Sequence, residues 1–434
     1  MFLKYGKSFI LLIFSFLFMK QVMADTPSFP RGTASVMLTP MAGVRTDLLK
    51  GIAPLIQKSI AEGKYPGAIV LIAHHGHIIY RGVFGNRRIL PHPAPMTFNT
   101  IFDLASLTKV VATTPAIMQL IEEGKLELDA PVKKYWPEFA AHGKQSVTIR
   151  ELLTHTSGLP EGISSEATHR ADVLQDIINM KLNHPPGTHY LYSDINFVVL
   201  ALLVERLSHQ PFAIYTQNHI FKPLHMTDTA FLPNAHLRDR IAPTEIVHHT
   251  LRWGVAQDPL AYSMGGVSGN AGLFSSATDL GIYAQCLLND GRMPSTGKNK
   301  KPGYLLGPLT VLKMTTAETS PAFDGMRSLG WDIDSAYSDR GTLFPLRSFG
   351  HTGWTGTSLW IDPVTDTWIV VLTSRLHAAR SHHNQIVEDR RTLSTMVAAS
   401  ITDTSLTHEN NTGEAELARA YPTTRWTLTN KDHG

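Results

Sequence analysis

The sequence has 434 residues, 43% hydrophobic, 17% charged and 9% aromatic, a balance that excludes low-complexity disorder and collagen-like repetition and leaves room for one large domain or two ordinary ones. A single cysteine, Cys286, excludes an intrachain disulfide and any cysteine-based zinc or iron–sulfur centre. The net charge of +3 comes from Lys4, Lys7 and Lys20 in residues 1–24, and the remainder carries 36 basic and 36 acidic side chains, which gives no electrostatic case for a nucleic-acid partner.

Residues 1–24 have a basic start (MFLKYGK), an apolar stretch of 11 residues from Phe9 to Met19, and a small-residue site at Val22-Met23-Ala24. A helix that crosses a bilayer of about 30 Å needs about 20 apolar residues, so this pattern predicts a cleaved signal peptide and a periplasmic or secreted protein. Lys20, after the apolar run, leaves an uncleaved anchor as the alternative, and peripheral membrane association stays open. A lead over 25–45 follows. A domain is then expected over 46–402, with a polar tail over 403–434.

Within the domain, TDLLKGIAPLIQKSIAEG has helical spacing and ends at Gly63. GAIVLIAHHGHIIYRGVFG reads as a β-hairpin turning at His75-Gly76. SLTKVVATTPAIMQLIEEGKL is a helix in which Pro115 implies a kink or a break. Helical patches follow up to residue 290, among them TIRELLTH, INFVVLALLVERLS and ATDLGIYAQCLLN, the last placing Cys286 as a buried thiol. Strand character returns in LGWDI, RSFGH, TSLWIDP and TWIVVLTSR, before a last helix over about 383–401. A lone hairpin is marginal, so the early strands are expected to join the late ones. The expected fold is α+β: an antiparallel sheet from 46–100 and 325–402, flanked by helices, with 101–324 as a large all-α insertion.

The sharpest chemical signal is Ser106-Leu107-Thr108-Lys109 at a helix start. Residues three apart share a helix face, so a hydroxyl there can pass its proton to an amine one turn on. Lys109 can be that base only when neutral, which requires lowering its usual value of about 10.4 by burial or nearby positive charge. Ser295-Thr296-Gly297-Lys298 repeats the spacing in a loop that cannot bury its amine. Tyr192-Ser193-Asp194 precedes an apolar helix, and its phenol could relay protons. Tyr337-Ser338-Asp339 repeats that tripeptide as turn chemistry, and Ser268-Gly269-Asn270 sits in a close-packed glycine-rich loop. His351-Thr352-Gly353 stands at a strand edge where a substrate backbone could pair, and the Trp354 N–H could form an oxyanion hole with that of Ser106.

These three motifs, in this order, resemble those of the penicillin-recognising serine hydrolases: class C β-lactamases, D-alanyl-D-alanine carboxypeptidases and related esterases. LLTHTSGL (152–159), GGVSGNAGLFSSATDL (265–280) and GHTGWTGTSLWIDP (350–363) are further stretches typical of the group, and the similarity runs from about 45 to 400. The resemblance implies a β-lactamase/transpeptidase-like fold, an acyl-enzyme on Ser106, Lys109 as base, Tyr192 as proton relay, and an oxyanion hole from Ser106 and Trp354. It implies substrate contacts from Asp194, His351, Thr352 and Gly353, and needs no cofactor. The partners it implies are a cell-wall peptide or small ester, with a β-lactam as covalent ligand. Two positions depart. Asp194 stands where the group usually has Asn, and its charge would favour a protonated Lys109. His351 stands where the lactamases have Lys, a weaker partner for a substrate carboxylate. The expected function is therefore an exported D-alanyl-D-alanine carboxypeptidase-like penicillin-binding protein. The alternatives are an esterase, a weak β-lactamase, or a sensor that binds penicillin or peptide without turnover.

Other clusters carry less. His74, His75 and His77 straddle a hairpin turn and read as exposed histidines rather than metal ligands. His248-His249 and His382-His383 lack a carboxylate or cysteine frame, and neither a G-x-S-x-G elbow nor a phosphate-binding glycine loop is present.

Overall fold

The computed structural model describes residues 34–163, 168–294, 303–319, 323, 325–377 and 383–403. The expected signal segment, the 295–298 repeat, His382 and the tail beyond Asp403 lie outside these residues.

The main sheet is antiparallel and has nine strands. Eight follow the spatial order β1 (Ser35–Leu38), β3 (His77–Arg88), β2 (Gly67–His74), β14 (Thr367–Thr373), β13 (Ser358–Asp362), β12 (Phe349–Thr352), β11 (Asp332–Asp334) and β10 (Met326–Arg327). The short β4 (Ala94–Pro95) pairs with β3. The seam between early and late strands is β2 against β14, in register from Thr367 opposite His74 to Thr373 opposite Ala68. The early hairpin therefore does join the late strands.

Each of these central strands buries both faces, which is why GAIVLIAH shows no apolar–polar alternation. Ile69, Leu71 and Ala73 enter one core with Val370 and Leu372 of β14. Ala68, Val70 and Ile72 enter the other with Ile369 and Val371. The second core is closed by α1 (Ile52–Ala61), through Ile52, Ile56 and Ile60, and by α5 (His383–Ser400), through Ile386, Leu393 and Val397.

The first core is closed by the middle of the chain, chiefly α2 (Thr114–Glu122), α3 (Asp194–Ser208) and α4 (Ala277–Leu288). Residues 195–204 of α3 are all buried, so this helix is apolar on every side, as a central helix must be. Cys286 is buried in α4, where burial pushes its thiol up to about 12. The middle is mainly helical. It also carries a three-stranded sheet of β5 (Ile101–Asp103), β9 (Leu273–Ser276) and β6 (Ala230–Phe231), and a ribbon of β7 (Ile246–Val247) with β8 (Thr250–Leu251). No single described helix is long and apolar enough to cross a membrane.

Candidate active site

Strand β5 delivers the chain to Ser106 through a strained turn. Ala105 has φ +46°, a left-handed conformation that costs an L-residue energy unless its surroundings fix it. Two bonds fix it: the Ala105 N–H donates to Asp103 Oδ1 at 2.8 Å, and the Thr108 hydroxyl donates to the Ala105 carbonyl at 2.6 Å. The other Asp103 oxygen accepts the Gln257 N–H at 2.7 Å, yet burial pushes this carboxyl up to about 7. Beyond Ser106 the chain makes a wide π-helical turn over Lys109–Thr113 before α2 begins. Pro115 lies in the first turn of α2, directly after the π turn, and upstream of it the Val110 carbonyl accepts from the Tyr283 hydroxyl at 2.6 Å. The break expected at Pro115 is this change from π to α winding.

Lys109 is fully buried and has three acceptors around its amine: Ser106 Oγ at 3.0 Å, Asp194 Oδ1 at 2.7 Å and the Asn270 carbonyl at 3.0 Å. An ammonium has three N–H donors, one for each. Burial alone would lower this amine. The Asp194 carboxylate and then the Tyr192 phenol outweigh it, and the net displacement is upward. This is the effect expected of Asp194: the charged form is favoured, and the neutral amine that a base role requires must be reached from it. Asp194 was also expected among the substrate contacts. Instead it opens α3 and turns an oxygen to Lys109, at a helix N-terminus that favours its negative charge. Asn270, in the glycine-rich loop, acts through its backbone carbonyl.

Tyr192 has two cations near its ring. The Lys109 Nζ lies 5.0 Å from the centroid and the Arg327 guanidinium carbon 5.8 Å. His155 stacks on the same ring with centroids 4.3 Å apart. His155 Nδ1 accepts the Ser193 N–H at 3.1 Å, which assigns its proton to Nε2. Burial, then the charges of Arg327 and Lys109, hold it neutral, well below the usual histidine range. His155 lies within the LLTHTSGL stretch, where nothing in its own sequence context marked it as the platform for Tyr192.

The β12–β13 turn supplies the opposite wall. The Thr355 hydroxyl donates to the Asp103 carbonyl at 2.7 Å and the Thr357 hydroxyl to the Leu104 carbonyl at 3.0 Å, stitching this turn to the segment that presents Ser106. A Cβ on Gly353 would lie 2.3 Å from the Leu104 oxygen and 2.2 Å from Thr357 Oγ1. Only glycine permits this approach. Ser106, Tyr192, His351, Thr352, Gly353 and Trp354 line one cavity of about 200 Å³, so the three motifs do converge.

The same cavity is lined by Arg327, Asp332 and Tyr337. Tyr337 does belong to a turn, where its N–H bonds Ser335 Oγ at 3.2 Å, but its ring also lies beside Tyr192 with centroids 6.4 Å apart. Arg327 is 1% exposed and pairs with Asp332 at 3.3 Å. His351 cannot serve as a cation here. Burial, with Arg327 and Lys109 nearby, holds it well below its usual range; its Nδ1 bonds the Thr352 carbonyl at 2.8 Å. Its Nε2 is buried without a partner among the described residues. The permanent charge on the cavity wall is Arg327, which in the sequence looked like any strand-flanking arginine.

The sequence model of the Beta-lactamase family matches residues 52–393. An Escherichia coli K12 protein, provisionally named a D-alanyl-D-alanine carboxypeptidase, is 32% identical over 381 residues, 78% of this chain and 84% of that protein. A Bacillus subtilis protein named N-acetylmuramyl-L-alanine amidase is 31% identical over 419 residues, 86% of this chain and 92% of its own length. Among solved structures, a penicillin-binding-protein homologue from Caulobacter crescentus superposes with a TM-score of 0.64 at 19% identity, covering 82% of this chain and all of that one.

Proposed function

The chain belongs to the Beta-lactamase family, and on that premise we propose that it is a serine hydrolase acting through an acyl-enzyme on Ser106, with peptides ending in D-alanyl-D-alanine as its substrate class. One observation carries this reading: the Ser106–Lys109 contact of 3.0 Å opens on a cavity whose wall holds a buried guanidinium, Arg327. A guanidinium is the side chain best shaped for a terminal carboxylate.

In the proposed cycle the substrate carbonyl sits against the N–H groups of Ser106 and Trp354, and its backbone lies along Thr352 and Gly353. The cycle starts from Lys109 with its proton lost to solvent, the form that burial favours and the Asp194 carboxylate 2.7 Å away opposes. The amine then takes the Ser106 proton as Oγ bonds the carbonyl carbon. On collapse, Lys109 returns that proton through Tyr192 to the leaving nitrogen, the carbon–nitrogen bond breaks, and Lys109 is neutral again for the second half of the cycle. Water repeats the sequence on the ester, releasing the acid and restoring Ser106. We place this activity outside the cytoplasm, on the strength of the three-part pattern in residues 1–24.

A second reading, hydrolysis of a small ester, is favoured by the pairing of Arg327 with Asp332, which leaves little net positive charge for a carboxylate. Comparing kcat/KM for an acyl-D-Ala-D-Ala peptide, its C-terminal amide and a p-nitrophenyl ester separates the two. The peptidase reading expects D-alanine release and at least a tenfold preference, about 1.4 kcal/mol, for the free carboxylate. Ester cleavage with no D-alanine release overturns it, and one equivalent of product followed by arrest identifies a non-turnover binder.

A further inference from the structure

We propose that His74, His75 and Asp403 form a site for a zinc-class divalent cation at the end of the main sheet away from Ser106. His74 ends β2 opposite Thr367, whereas the catalytic turn lies toward the Thr373 end of β14. His74 is fully buried, contrary to the exposed hairpin histidine expected, and His75 departs from the strand rule because it is at the turn with φ +48°. Their rings therefore come to the same side, with centroids 4.0 Å apart.

The hydrogen bonds fix which ring nitrogens are available. The Thr367 hydroxyl donates to the Thr365 carbonyl at 3.1 Å, so it accepts from His74 Nδ1, 3.0 Å away. His75 Nδ1 faces the Asp366 carboxylate at 3.0 Å and donates to it. With each Nδ1 already engaged, both Nε2 atoms face one carboxylate: His74 Nε2 lies 3.0 Å from Asp403 Oδ1, and His75 Nε2 lies 3.6 Å from Oδ2. No hydrogen bond spans the 3.6 Å from His75 Nε2 to the carboxylate, whereas one cation between the two rings and Asp403 would take a donor atom from each.

Zinc bonds of about 2.0–2.2 Å to nitrogen and oxygen separate tetrahedral ligands by about 3.3–3.5 Å. The two histidine-to-carboxylate separations, 3.0 and 3.6 Å, bracket that spacing, and the three donor atoms all lie within 4.8 Å of one another. A second partner on each Nδ1 is the outer support that metal-bound histidines require. His75 and Asp403 are 46% and 34% exposed at the side chain, which gives an ion entry and a place for water as fourth ligand. Two imidazoles and a carboxylate select zinc-like ions over magnesium or calcium. The ion would tie the segment leaving α5 to the hairpin; the same segment is already held to the stretch after β1, where the Thr402 N–H donates to the Gly43 carbonyl at 2.8 Å.

Full-length protein stripped with EDTA and titrated with Zn²⁺ in a calorimeter should bind one equivalent at this site. Saturation at about 100-fold over Kd should raise Tm by about 2–4 °C. Mg²⁺ should do neither. His75→Asn, which tolerates the left-handed turn, and Asp403→Asn should each weaken zinc binding at least tenfold while leaving ester or peptide hydrolysis unchanged. Absence of Zn²⁺ binding to the parent protein, or equal binding in both variants, overturns the proposal. If Asp403→Asn lowers the metal-free Tm, the zinc-induced increment remains the deciding quantity.

Discussion

Asp194 Oδ1 lies 2.7 Å from Lys109 Nζ, closer than the hydroxyl of Ser106 at 3.0 Å. The amine that should activate the nucleophile is therefore first the partner of a carboxylate, and its net displacement is toward the charged form. The site balances burial, which favours a base, against an ion pair, which stores one.

Replacing that carboxylate by a carboxamide leaves burial as the leading influence on Lys109. In Asp194→Asn the rising limb of the kcat/KM–pH profile should move to lower pH, and acylation by a penicillin at pH 7 should speed up at least tenfold. The sign follows from the mechanism: activity needs the neutral amine, and the carboxylate delays its appearance as pH rises. Stopped-flow acylation across pH 5–10 checks this, and an unmoved or upward-shifted limb contradicts it.

Gly353 tests the stitching of the two walls. In Gly353→Ala the new methyl meets the Leu104 carbonyl at 2.3 Å, and backbone cannot swing away as a side chain can. The expected cost is about 1–3 kcal/mol of stability, with at least a hundredfold loss of acylation because the Trp354 and Ser106 amides separate. Denaturant unfolding alongside penicillin labelling measures both. Labelling at the parent rate would show that this contact does not set the oxyanion geometry.

His155 acts through Tyr192. His155→Phe keeps a ring under the phenol but removes the acceptor for the Ser193 N–H, at an expected cost of about 1–3 kcal/mol. A positioning role predicts a kcat about tenfold lower with KM little changed. A matched fall in stability with kcat intact would mark His155 as purely structural.

His377 reports on acid stability. Its Nε2 accepts the N–H groups of Ile89 and Leu90 at 2.8 and 3.1 Å, and burial lowers it from its ordinary value to about 4. As pH falls, the unfolded chain takes up this proton first, so stability is lost between about 6.5 and about 4, by on the order of 3 kcal/mol. Buried Asp103, raised to about 7, acts in the opposite sense, so a comparison of variants is needed. His377→Gln keeps an acceptor that does not titrate, and its urea stability should fall less steeply over that window. Parallel curves would refute the assignment.

The sequence made the motif residues legible because the chemistry restricts residue type: Ser106 with Lys109 one turn on, a phenol at Tyr192, a glycine at 353. The sheet was legible for a similar reason, since GAIVLIAH and TWIVVLT are short β-branched runs bounded by turn residues, although their burial on both faces shows only in the structure. What stayed hidden was contact between distant segments. Arg327 gains meaning only once β10 is laid beside Tyr192, and His155 only once the start of α3 packs on it. The charge state of Lys109 depends on a 2.7 Å distance that spacing cannot supply. His74 and His75 were set aside by a strand rule that lapses at a left-handed turn.

The central claim is that Ser106 becomes acylated, and intact-protein and peptide mass spectrometry after exposure to benzylpenicillin tests it most directly. The account predicts one added penicilloyl mass, located on the peptide containing Ser106 and absent from Ser106→Ala. An adduct that persists in Ser106→Ala, or no adduct at any pH where Lys109 can be neutral, would contradict it.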